Sequence, residues 1–134
     1  MKKRDLNLAK YHISAYRYRE LYYFCLQYTE RAADIEELRY PSGHPPDGMP
    51  KGTVTSDRTA SVAVKAAQLD SDNDLIRQAA EEAGGTLAPW ILKAVTNGMN
   101  YNAMRMQEHI PCNEKEFRRI RHKFFYILDR KKKR

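Results

Sequence analysis

Along most of the 134-residue chain apolar residues recur every three or four positions, and nowhere do they alternate as a strand requires. Between residues 6 and 38 there is neither Gly nor Pro, and Leu21, Phe24, Tyr28, Ala32, Ile35 and Leu38 keep a helical spacing. This predicts an amphipathic helix. Its upstream half is crowded with Tyr11, Tyr16, Tyr18, Tyr22 and Tyr23 beside Arg17 and Arg19. The spacing is compatible with one long helix or with two that bend near Thr29. Residues 40–52 then hold four of the six prolines and three of the six glycines, a stretch that predicts a linker.

Beyond the linker the caps define further helices. Asp57 opens one running to about Leu69, with Val62, Ala66 and Leu69 on one side. The cluster Ser71, Asp72, Asn73 and Asp74 offers a second cap before Leu75, Ile76, Ala79 and Ala80, and Gly84-Gly85 ends that stretch. Thr86 caps a helix with Pro89 in its first turn and Trp90, Ile91, Ala94 and Val95 along it, stopped by Asn97-Gly98. A short helix over about 101–108, containing Ala103, Met104 and Gln107, leads to a break at His109, Ile110, Pro111 and Cys112. Asn113 and Glu116 then match a capping box at the head of the last helix. The expected fold is all-α: an N-terminal helical arm (1–39), a linker (40–56) and a helical domain (57–134) with a helix-turn-helix at about 101–128.

Charge changes this picture at one end only. Residues 113–134 carry ten Lys or Arg against three acids, while the preceding 112 residues carry 14 of each and balance. The whole net charge of +7 therefore sits on the last helix. Phe117, Ile120, Phe124, Ile127 and Leu128 give that helix an apolar stripe, and Lys115, Arg118, Arg119 and His122 fall on the other side. In a helix-turn-helix the second helix keeps an apolar face on its domain while early exposed positions meet base edges. Arg and Lys suit guanine acceptors in the major groove. The end from Asp129, with Arg130, Lys131, Lys132, Lys133 and Arg134, is expected to fray and to touch phosphates without reading sequence. Basic amphipathic helices also lie on membranes or bind acidic proteins. The short helix and tight turn ahead of this one favour double-stranded DNA, and the need for its apolar face inside the domain disfavours a membrane.

Other chemistry finds little footing. Cys25 and Cys112 are far apart and form no disulfide pattern, which fits a reducing cytoplasm. No run of seven or more apolar residues follows the basic start, so a signal peptide is not expected, and no apolar run has the length of a membrane span. His109 and Cys112 are spaced like half a zinc site but lack a second pair. Gly84-Gly85 is not followed by the Lys and Ser/Thr of a phosphate loop. Glu36-Glu37 and Glu81-Glu82 read as solvated helix faces. No nucleophile, base and orienter can be assembled, so the expectation is a non-enzyme without cofactor. The N-terminal tyrosines could stack on bases, but at helical spacing they fit a core or a subunit interface better.

Four segments also carry a family likeness: residues 13–28, with Phe24-Cys-Leu-Gln-Tyr28 at their end; Ser56-Asp-Arg-Thr59 with Ala63 and Leu69; Leu92-Lys-Ala-Val-Thr-Asn-Gly98; and 110–128. In this order they resemble the RinA/ArpU-type phage late-gene transcriptional regulators of Firmicute prophages and mobile elements. That resemblance implies a C-terminal helix-turn-helix similar to region four of sigma factors, acting at a phage promoter in the bacterial cytoplasm, with RNA polymerase as a further partner. It implies Lys115, Arg118, Arg119 and His122 as DNA-reading residues, flanked by Arg121 and Lys123. A transcriptional activator is the leading expectation, with the Tyr-rich N-terminal helix as the contact for either a second subunit or the polymerase. The alternatives are a DNA-packaging protein similar to a terminase small subunit, distinguished by a ring assembly, and an interaction module whose basic tail binds an acidic protein.

Overall fold

The computed structural model describes residues 12–41 and 56–133, with side chains described at 12–41 and 59–133. All regular structure among them is helical. Ser14 accepts from the Arg17 amide at 3.1 Å and starts α1 (Ala15–Leu26). Gln27 interrupts the helical run, and α2 (Tyr28–Arg39) follows at once. The N-terminal run is thus two helices, broken two residues before Thr29. The 42–55 part of the expected linker lies outside the described residues.

α3 (Ser56–Gly84) is one continuous helix of 29 residues, about 43 Å long at 1.5 Å per residue. The sequence predicts two helices here, and the helix runs straight through the second expected cap at 71–74. Asp57 lies inside the helix, and Asn73 is buried in mid-helix. The Asn73 side chain accepts from Arg31 Nε at 2.6 Å and donates to the Tyr28 carbonyl at 3.1 Å, so its polar atoms bind α2 rather than end α3. Asp70 and Asp74 instead pair with Arg77 on the surface. Tertiary partners outcompete the local capping that Asn and Asp otherwise favour.

A 3-10 turn (Gly85–Leu87) links to α4 (Ala88–Asn97). Thr86 sits within that turn and does not cap α4, whose N-cap position is Leu87. Pro89 occupies the first turn as expected, and Gly98 ends the helix at φ 63°. α5 (Tyr101–Glu108) is capped by Asn100, and α6 (Glu114–Lys131) by Asn113, whose side chain accepts from the Glu116 amide at 2.8 Å.

A single core joins these helices. Leu21 and Cys25 of α1, Ile76 of α3, Ile91 of α4, Met104 of α5 and Phe124, Phe125 and Leu128 of α6 are all fully buried in it. Tyr18 meets Phe125 edge-on with centroids 5.0 Å apart, and Phe125 meets Phe124 at the same distance. The expected N-terminal arm is therefore corrected: α1 is a wall of the domain, because its Leu21, Phe24 and Cys25 complete the apolar surface left by α4 and α6. Burial pushes the Cys25 thiol up to about 12, against the opposing influence of Arg31 and Arg121. An unfolded thiol ionises near pH 8.5. Between those values the unfolded chain gives up a proton that the folded chain keeps, so this group lowers stability as pH rises through that window. In a thiol-labelling experiment at pH 8, the half-buried Cys112 reacts first and Cys25 only on unfolding.

The C-terminal segment is also more ordered than its charge suggests. Arg17, with a 5% exposed side chain, donates to Asp129 Oδ1 at 2.7 Å and to Glu20 at 2.7 Å, and it reaches the Asp129 and Lys132 carbonyls. Lys131 pairs with Glu82 of α3 at 2.6 Å, and Lys132 stands over the Phe24 ring. The fraying expected of 129–134 is thus replaced by docking through Lys132; Arg134 lies outside the described residues. Arg17→Ala is expected to cost about 2 kcal/mol in chemical denaturation, below the range for fully enclosed pairs because Asp129 keeps some solvent.

Candidate nucleic-acid interface

The connection between α5 and α6 is held from three sides. Trp90 Nε1 donates to the Glu108 carbonyl at 3.1 Å, and Lys93 pairs with the Glu108 carboxylate at 2.9 Å, tying the end of α5 to α4. His109 adopts the left-handed conformation (φ 53°) that turns the chain. Ile110 is buried beneath the turn, and Tyr101 donates its hydroxyl to the Cys112 carbonyl at 2.7 Å. The start of α6 is therefore positioned by contacts to both α4 and α5 rather than by its cap alone.

α6 inserts Phe117, Ile120, Phe124, Phe125 and Leu128 into the core. Ile127, expected in that stripe, is half-buried, and Phe125 takes the inner place because α1 adds a second wall. On the outer side Lys115, Arg119 and Lys123 follow one another at four-residue intervals, all exposed, with Arg130 and Lys133 exposed beyond them. Lys115 and Lys123 make no ion pair among the described residues. Arg118 binds Glu114 at 3.0 Å, and Arg119 grips Glu116 through two bonds of 3.0 and 2.6 Å. The Arg119 hydrogen bond holds the Glu116 carboxyl below its ordinary value. Acids in the first turn and bases in the last also suit the helix dipole.

The remaining expected site residues are placed differently. His122, expected on the exposed side, is buried at 8% exposure. It lies on the flank of α6 covered by α1, between Arg118 and the Phe125 and Asp129 positions that α1 engages through Tyr18 and Arg17. Arg121 is bound to the Tyr18 hydroxyl at 2.6 Å and stands over the Tyr18 and Phe125 rings. Arg130 lies over Tyr126, while Lys131 and Lys132 anchor the helix end. Lys115, Arg119, Lys123 and Arg130 thus share the outward face of α6, with Arg118 at its edge and Lys133 exposed just past the helix end.

Beside that face is a cavity of about 440 Å³ between α1, the 98–100 connection and the first turns of α5 and α6. Arg19, Tyr22, Tyr23 and Tyr101 line it with Arg118, Arg121 and His122. Sequence reasoning missed this grouping, since it depends on α1 lying against α6. The only local signal is that Arg19, Tyr22 and Tyr23 share one helix face.

Comparison of the chain with protein-family models, curated proteins and solved structures yields no match. Among the described residues no helix is long and apolar enough to cross a membrane, and no group of three or more His, Cys, Asp or Glu could hold a metal ion.

Proposed function

We propose that this chain binds double-stranded DNA sequence-specifically as a phage-type transcriptional regulator, an activator, with α5, the 109–113 turn and α6 as its helix-turn-helix. The observation that carries this reading is the exposed line of Lys115, Arg119 and Lys123 on a helix whose inner face and preceding turn are both fixed by packing. Such a helix meets the major groove without reorganising, and its early side chains can reach base edges.

The carboxylates beside Arg118 and Arg119 do not oppose this. Exposed pairs of this kind are screened by water and salt, so exchanging Glu114 or Glu116 for a guanine edge or a phosphate costs little. Arg130 and Lys133 supply phosphate contacts that give affinity and salt dependence rather than sequence preference. Arg121, Lys131 and Lys132 act mainly by positioning α6. The likeness to RinA/ArpU-type regulators supports the same assignment and adds RNA polymerase as a partner. Tyr16, Tyr23 and Tyr40, all strongly exposed, are the places where a polymerase or a second subunit would make contact. A dimer would favour half-sites about one helical turn apart or a multiple of it.

Selection from a pool of random duplexes tests this reading. Convergence of the retained DNA on one motif is the expected outcome. Retention without enrichment of any motif would leave only charge attraction and remove the regulator assignment.

A further inference from the structure

The cavity beside α6 has the make-up of a ligand site independent of duplex binding. Arg19 of α1 and Arg121 of α6 line it, and neither has a carboxylate partner among the described residues. A third guanidinium, Arg118, is there with Glu114, the one acid on the lining. Arg19 stands over the Tyr16 ring and Arg121 donates to the Tyr18 hydroxyl, so both charges border one open pocket without a carboxylate to neutralise them, and planar guanidinium groups suit phosphate oxygens. The walls are aromatic. Tyr22 and Tyr23 stand edge to face at 5.4 Å, and Tyr101 joins the lining from the head of α5. Such rings stack on a nucleobase. Asn102 adds an amide able both to donate to and accept from a base edge. At about 440 Å³ the space falls within the range of small-molecule sites. Gly98 contributes by its bareness: a Cβ there would stand 3.2 Å from the Tyr22 hydroxyl.

We infer that this cavity binds a nucleoside phosphate, its base against Tyr22, Tyr23 and Tyr101 and its phosphate on Arg19 and Arg121. The unit can arrive as a free mononucleotide or as the end nucleotide of a single strand; the recognising chemistry is the same. Because α1 and the start of α6 both form the site, an occupant bridges the two helices. Binding there requires no contact with the Lys115–Arg119–Lys123 line.

Titration calorimetry of the full chain tests this with the four common ribonucleoside monophosphates, their nucleosides, inorganic phosphate and a short 5′-phosphorylated single strand. At least one monophosphate is expected to bind roughly tenfold more tightly than both its nucleoside and inorganic phosphate, since each of these offers only one of the two recognised groups. Arg19→Ala and Tyr23→Ala change exposed side chains and should each weaken binding several-fold. Lys115→Ala should leave it unchanged, which separates this site from the duplex-reading face. Displacement of the mononucleotide by the single strand assigns the strand end as occupant; lack of displacement assigns the free nucleotide. Equal affinity for inorganic phosphate, no binding by any monophosphate, or indifference to both α1 substitutions would overturn the proposal, whatever the duplex experiments give.

Discussion

Leu21→Ala is expected to lower the free energy of unfolding by about 2–5 kcal/mol, the range for truncating a fully enclosed leucine. Leu21 has no solvent exposure and belongs to the same apolar cluster as Ile91, Phe124 and Phe125. The cavity left by its isobutyl group would be lined by side chains already held by their own helices, so collapse recovers little. Against a total stability of roughly 5–15 kcal/mol the loss is large, and the thermal midpoint should fall by roughly 10 °C. One cooperative transition, shifted as a whole, is the result that places α1 inside the domain. A main transition at its original midpoint would mean that α1 folds as a separate arm. Circular dichroism with urea or heat distinguishes the two.

The second large effect concerns binding. Replacing Lys115 and Arg119 together by Ala should weaken binding to the preferred duplex by roughly a hundredfold or more, from about 1–3 kcal/mol for each base-edge interaction removed. Binding to an unrelated duplex should fall far less, because Lys123, Arg130 and Lys133 still meet phosphates. Neither substitution touches the core, so the thermal midpoint should move little. Salt titrations supply the second axis. Arg130→Ala and Lys133→Ala together should reduce the slope of log affinity against log salt, by about 0.9 for each phosphate no longer neutralised, with sequence preference retained.

Those positions also show which parts of the molecule are legible in the chain. Helices with strong local signals fall where spacing and caps put them. α5 occupies 101–108 as its spacing predicts, α6 begins behind Asn113, and Gly98 stops α4 in the left-handed conformation. Signals that compete with tertiary contacts mislead. The Ser71–Asp74 cluster has the chemistry of a cap, yet Arg31 and the Tyr28 carbonyl occupy Asn73 and the helix runs through. Periodicity likewise finds the inner stripe of α6 at Phe117, Ile120 and Phe124. It cannot reveal that α1 covers a second flank, which buries His122 and sequesters Arg121. The cavity was invisible for the same reason: Arg19 and Arg121 are 102 positions apart in sequence and border one pocket because α1 packs on α6 through Tyr18 on Phe125 and Arg17 on Asp129.

The basic tail illustrates how charge alone overstates function. Of the ten cations in 113–134, Arg121, Lys131 and Lys132 hold α6 in place. The outward line that remains is narrower and better defined than net charge implies, so each of its members can be tested by a single substitution.

Fluorescence anisotropy with the duplex flanking the protein's own gene and with a scrambled duplex, at low and near-physiological salt, tests the proposed function most directly. A preference of roughly a hundredfold or more for the native duplex, surviving the higher salt, is the predicted result. Equal, weak binding to both that disappears as salt rises would contradict it and leave an interaction module with a basic face.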